Sequence, residues 1–472
     1  MPKSAKAASN PRQGKKPPRK RSPETSQEWL EEGISLEDSG DRWVQDPPKA
    51  HRFYLQSLEA YERAIGLDQN NFDALYNRAR LYLQISQACA LLAVPRLEVV
   101  NQALLAHKQL VDAYPSNSDV KYNLAVVLIY FVELVQGHEV LSAHQNQLES
   151  AVTEALGAIR DCVAQQSEEL SRMMDTQDGP DDDETVNMSG EKIDGAASSN
   201  ETEEMDVDVT YISHDILLDS LLTAVEAYCQ LLQIESISDA TILDQAGSYI
   251  KQEILPTILN ILPNCQVDDA ASRHAEAMHA LDVANMECAY RQGQLTIEAY
   301  RTALEELILK HDSSIAISCA NADACIALAG AYQSTESDQA VTWKILTSGA
   351  SVQVTAAIEA MSKAARKAPS MYITKADIEL LRVAVKTDVA VRNRATLLKN
   401  AKVYYKRAMA ECLPKDAHLL NEATLKLAIV EGELSTATPA LPSISKDEAG
   451  QIISDARADG LFNGPWRLLD SQ

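Results

Sequence analysis

One short string occurs twice at a fixed interval: Asp73-x-x-Tyr76-Asn77 and Asp119-x-x-Tyr122-Asn123, 46 residues apart. An asparagine amide carries a donor and an acceptor side by side, the pair needed to hold an extended peptide backbone. An aspartate beside it draws a Lys or Arg of the bound chain through a charge-assisted hydrogen bond. Arg80 follows one helical turn after Tyr76 and Asn77, and Asp323 recurs in a similar setting further along. These eight residues, Asp73, Tyr76, Asn77, Arg80, Asp119, Tyr122, Asn123 and Asp323, form the candidate groove for a protein client. A plainer reading of the same pattern exists. Aspartate is favoured near helix starts, and a tyrosine packs well between helices.

Other candidates for chemistry are thin. His274 and His279 flank Glu276, but an i, i+5 spacing puts the two rings on different helix faces, whereas a zinc protease needs i, i+4. Cys319 and Cys325 are six apart with no histidine nearby and read as core thiols. The chain contains neither GxxxxGK nor GxGxxG, and no serine or cysteine stands in a nucleophile elbow. The expectation is a protein that is not an enzyme and takes no cofactor or metal.

The elements that must carry the groove are helices. The 472 residues hold only 17 Gly and 17 Pro, against roughly 7% and 5% in average chains. Such a sequence disfavours sandwiches, barrels and Rossmann-type enzymes. Long Ala- and Leu-rich amphipathic segments alternate with short breaks, the pattern of paired helices. The small residues Gly33, Ala79 and Ala125 share one register, 46 residues apart, and Ser57 and Ala103 share another. Small side chains at those points let two helices approach closely. The predicted fold class is all-α: a right-handed solenoid of helical hairpins with a repeat of about 46 residues.

The stretch SLEAYERAIGLDQNNFDALYNRARLY resembles a tetratricopeptide repeat. Ser57, Tyr61, Ala64, Ala79 and Tyr82 fall where that family places its small and bulky residues. Ala103, Pro115, Leu124, Ala125 and Leu128 do so again, as do Leu328, Ala329, Tyr332, Ala357, Met361, Ala364 and Pro369. Weaker matches are Thr296, Tyr300 and Ala303, and Ala401, Tyr405 and Ala408. The family repeat is 34 residues, so about twelve extra residues are expected between the two helices of each pair, as at Trp43–Ala50 and Leu92–Val99. The resemblance implies that first helices line a concave groove and that Asp73, Tyr76 and Asn77 face it. It also implies a protein-binding adaptor or dedicated chaperone. The family's carboxylate clamp for chaperone tails is not met, because Leu30, Ile34 and Asp119 stand where basic or amide residues belong.

Charge shapes the rest of the expectation. The net charge is −25, which opposes direct nucleic-acid binding by the whole surface. Residues 1–22 carry eight cations and no acid, and residues 165–210 carry fifteen acids against two cations. We therefore expect a disordered basic arm at 1–25 and N-terminal repeats over 26–166. An acidic disordered insertion at 167–210 follows, then C-terminal repeats over 211–434, and a linker, short helix and tail over 435–472. Lys15, Lys16, Arg19, Lys20 and Arg21 read as an import signal for an import receptor. The longest apolar run, Leu124 to Val132, ends at Glu133 and is too short to span a membrane. These features point to a cytoplasmic and nuclear adaptor. Its client is a strongly basic protein, with a newly made ribosomal protein first and a histone second; a scaffold subunit of a complex is the other alternative.

Overall fold

The structure, a computed structural model, describes residues 22–89, 91–177, 212–234, 237, 240–310, 314–333, 338–435, 444–463, 466 and 469. Among them there is no strand, and the helices form eight successive hairpins. The first three pair α1 (Ser26–Arg42) with α2 (Pro47–Leu67), α3 (Phe72–Ala88) with α4 (Ala93–Ala113), and α5 (Ser118–Gln136) with α6 (Leu148–Gln177). In the fourth, α7 (His214–Gln233) is followed by α8 (Ala240–Tyr249) and α9 (Leu255–Ile261). The fifth pairs α10 (Ala270–Arg291) with α11 (Ile297–Lys310). In the sixth, α12 (Ile315–Gln333) is followed by α13 (Gln339–Lys344) and α14 (Ser351–Lys363). The last two are α15 (Pro369–Ala384) with α16 (Asp388–Glu411) and α17 (Ala417–Leu434) with α18 (Lys446–Ala458).

The 46-residue interval has a local cause. Helices α1, α3 and α5 start at Ser26, Phe72 and Ser118, and each is opened by a capping side chain. Thr25 accepts from Glu28 N in a full capping box, Asn71 from Ala74 N and Asn117 from Val120 N. The extra residues of each repeat are mostly not loop, contrary to the expectation above. They extend α2 and α4 to 21 residues apiece, and Pro47 sits in the first turn of α2, where it needs no N–H partner. Helix α6 likewise runs through Gln177. Leu170 packs on the core and Arg172 pairs with Glu168 one turn back, so 167–177 is helix rather than insertion. Residues 178–210 and the import residues Lys15, Lys16, Arg19, Lys20 and Arg21 lie outside the described residues.

Small residues set the helix crossings. A Cβ on Gly33 would overlap the Tyr61 ring, and one on Gly40 would overlap Tyr54. Ser57 Oγ closes the first crossing by donating to Gly33 O at 2.7 Å. One repeat later the fully buried Ala79 faces His107, a smaller ring, and a methyl group fits. Burial pushes the His107 ring down to about 4. The later hairpins are less regular. Between α8 and α9 the helix widens to a π turn at Ile250–Ile254, next to Pro256, whose missing N–H breaks the regular ladder. A second π turn, Ile345–Ala350, joins α13 to α14 where Gly349 passes the Cys325 sulfur. Among the described residues one helix, α12, is long and apolar enough to cross a membrane by length and composition. Half of it is buried among its neighbours and it carries Asp323.

The array returns on itself. Helix α18 is joined to the C-terminal core through Ala456, Leu461, Phe462 and Trp466, and its other face meets the second and third hairpins. Gln451 Oε1 accepts from Ala93 N at 3.0 Å, serving a helix start that has no side-chain cap of its own. Four residues on, Asp455 Oδ1 accepts from Glu139 N at 3.1 Å, and its Oδ2 lies 2.8 Å from His138 Nδ1. A curved array closed in this way has an inner and an outer layer of helices.

Candidate functional site

The first helices stand side by side and are tied by polar side chains rather than by apolar contact alone. Arg80 of α3 pairs with Glu37 of α1, a buried carboxylate that also accepts from Tyr61 OH at 2.8 Å. Gln84 reaches Asp41 at 2.6 Å. Asn123 of α5 donates to Tyr76 OH of α3 at 2.9 Å, and Gln230 of α7 donates to Glu133 of α5 at 3.3 Å. Arg273 of α10 pairs with Asp219 of α7, and the buried His279 donates to Asn321 of α12 at 2.9 Å. In the last hairpins, the buried Lys426 of α17 bonds Asp377 of α15 at 2.8 Å.

This ladder decides what the eight candidate residues do. Asp73 and Asp119 are exposed in the first turns of α3 and α5, two residues after the caps Asn71 and Asn117. That is where a carboxylate favours the helix dipole. Tyr76 and Asn123 are half-buried and bonded to each other, so their recurrence couples one repeat to the next. Tyr76 also stacks near Phe72, with 5.6 Å between ring centroids. Tyr122 turns toward Thr223 of α7, and burial raises its phenol. Arg80 is committed to Glu37. Asn77 is half-buried and makes no hydrogen bond to the described residues; in the register one repeat before Tyr76, the partner of Asn123, the sequence has Leu30, which carries no hydroxyl. Of the eight, Asn77, Asp73, Asp119 and Asp323 remain available to a client.

Asp323 leads to the site itself. Its side chain is open to solvent, yet desolvation holds its carboxyl up at about 6. We read the two facts together as a shallow hollow: water reaches the group from one side, while protein surrounds it on the others. Two further acids behave alike and escaped the sequence reading. Glu133 of α5 and Glu226 of α7 are exposed, and burial raises both; the charge of Glu226 raises Glu133 further. All three lie on first helices, α5, α7 and α12. None has a cationic partner among the described residues. The signal in the sequence was slight: Glu133 is the charge that ends the longest apolar run of the chain.

The chemistry of this inner face is that of a cation acceptor. Carboxylates kept from water are costly to ionise, and an arriving ammonium or guanidinium relieves that cost. The thiols do not join in. Cys162 lies buried beside Ser220 of α7, and burial pushes it up to about 11. Cys229 and Cys325 are pushed up to about 12 by the same cause.

No protein-family model matches the chain. It is similar, at 38% identity over 112 residues, to the UPF0656 protein C926.02 of Schizosaccharomyces pombe; the match covers 23% of this chain and 25% of that protein. Among solved structures, one described as "The hypoxic regulator of sterol synthesis Nro1 is a nuclear import adaptor" aligns over 84% of this chain and 93% of its own, with 11% identity and a TM-score of 0.27. A second, a "Circular tandem repeat protein with novel repeat topology and enhanced subunit contact surfaces", aligns over 92% and 98%, with 12% identity and a TM-score of 0.26.

Proposed function

We propose that the chain is a non-enzymatic adaptor whose inner face holds an extended, strongly basic segment of a client protein. The observation that carries this reading is the set of desolvated, cation-free carboxylates Glu133, Glu226 and Asp323 on the first helices α5, α7 and α12. Asn77 adds an amide for the client backbone. A newly made ribosomal protein is the client class we favour, with a histone offering the same charge. Delivery to the nucleus would rest on Lys15, Lys16, Arg19, Lys20 and Arg21, which an import receptor would read. The test is affinity purification at low salt from cells expressing the wild type or a Glu133→Gln, Glu226→Gln, Asp323→Asn variant. Basic proteins should co-elute with the wild type and be depleted in the variant. An unchanged set of co-eluting proteins would move the client off this face.

A further inference from the structure

One stretch of the chain carries the opposite charge. Residues 363–415 contain thirteen Lys and Arg against four Asp and Glu, a net +9 inside a chain of net −25. Six of the thirteen cations lie on α16, a second helix of 24 residues, about 36 Å long. At 100° per residue, Val391, Ala395, Lys399 and Val403 form one ridge along its outward side. The two valines are strongly exposed, at 71% and 62%. Arg392 lies on one flank of the ridge and Lys406 on the other. Lys406 and Lys402 are shared with Glu431 of α17, but Arg392 and Lys399 have no carboxylate partner among the described residues. At the far end of the helix the loop before α15 brings Arg366 and Lys367 alongside, fixed there by Ala368 N donating to Glu411 at 3.0 Å. Neither of these cations is paired with a carboxylate among the described residues either.

We propose that this face of α16 docks an amphipathic, acidic helix of a partner protein. A ridge of apolar side chains flanked by cations matches a groove of apolar side chains flanked by acids, which buries the valines and pairs the lysines in one step. A phosphate backbone would neutralise the cations but leave Val391 and Val403 against a polar, hydrated surface, and the face offers no exposed aromatic ring for a base to stack on. The inference is independent of the basic client. It gives the array a second surface, on a second helix, for a partner of opposite charge.

The test uses the full chain and a fluorescein-labelled synthetic 24-residue peptide with leucine at every fourth position and glutamate on both flanks. Oligoglutamate of equal charge and a 20-nucleotide single-stranded RNA are the comparators. We expect the amphipathic peptide to bind at least tenfold more tightly than either comparator. Val403→Asp should weaken it at least tenfold, as should Arg392→Glu combined with Lys399→Glu. Asp323→Asn should leave it unchanged. Circular-dichroism melts accompany each variant; should Val403→Asp melt early, Val403→Ser with Lys399→Ala replaces it. RNA or oligoglutamate binding as tightly as the peptide, wild-type affinity in the α16 variants, or no binding of the peptide at all would each overturn the proposal.

Discussion

Asp323 provides a quantitative test of the inner face. Its carboxyl sits at about 6 in the free protein because the hollow withholds water from the charged form. A cation bound beside it restores a carboxylate to something near the ordinary value of about 3.9. Binding and proton release are then linked. At pH 6 about half a proton leaves per complex, and between pH 7 and pH 5 affinity for a basic segment falls by up to about tenfold. Solvent along the exposed edge of the side chain screens the pair and reduces that figure. A salt bridge between ordinary surface groups stays fully charged over this range and would show no such pH dependence. A suitable assay is isothermal titration of a Lys- and Arg-rich 20-residue peptide in two buffers of different ionisation enthalpy at pH 5, 6 and 7. Asp323→Asn should abolish most of the proton release and flatten the pH dependence. An equal pH dependence in the variant, or heats indifferent to the buffer, would refute the assignment of the hollow as the cation site.

Other expectations follow from the packing. Gly33→Ala forces a methyl group into the Tyr61 ring and should cost about 1–3 kcal/mol in a chemical-denaturation series, while Ala79→Gly costs no more than about 1. Lys426→Ala leaves the half-buried Asp377 and Glu422 without their buried cation and should cost up to about 3–5 kcal/mol; Lys426→Met combined with Asp377→Leu should recover most of it. His107 is buried as the neutral ring at about 4, so the unfolded chain binds its proton first. Stability should therefore fall as pH drops from about 6.5 to 4, by roughly 3 kcal/mol at the lower end, and melts of His107→Gln should show a shallower acid limb. Asn123→Ala breaks the bond to Tyr76 and should lower stability by about 0.5–1.5 kcal/mol, whereas Asn77→Ala should leave the melt unchanged and act on client affinity alone.

Local features of this protein were legible in its residues, because each rests on neighbours a few positions away. The all-α class follows from apolar periodicity and the scarcity of Gly and Pro. The 46-residue spacing of the first three hairpins follows from repeated caps, Asn71 and Asn117 among them, and the crossings follow from Gly33, Ala79 and Ala125. Even the recurrence of Tyr76 and Asn123 was visible, though its meaning was not. A register 46 residues apart says that two side chains share a face, and only the distance between α3 and α5 shows that they bond each other rather than a client. The tertiary structure alone decided the rest. Small rotations between hairpins add up over eight of them, so the return of Gln451 and Asp455 to Ala93 and Glu139 is encoded in no local pattern. The desolvation of Glu133, Glu226 and Asp323 is likewise a tertiary effect. Lone acids on three separate helices are lifted by the protein packed around each of them, and only the folded chain sets Glu226 close enough to raise Glu133 further.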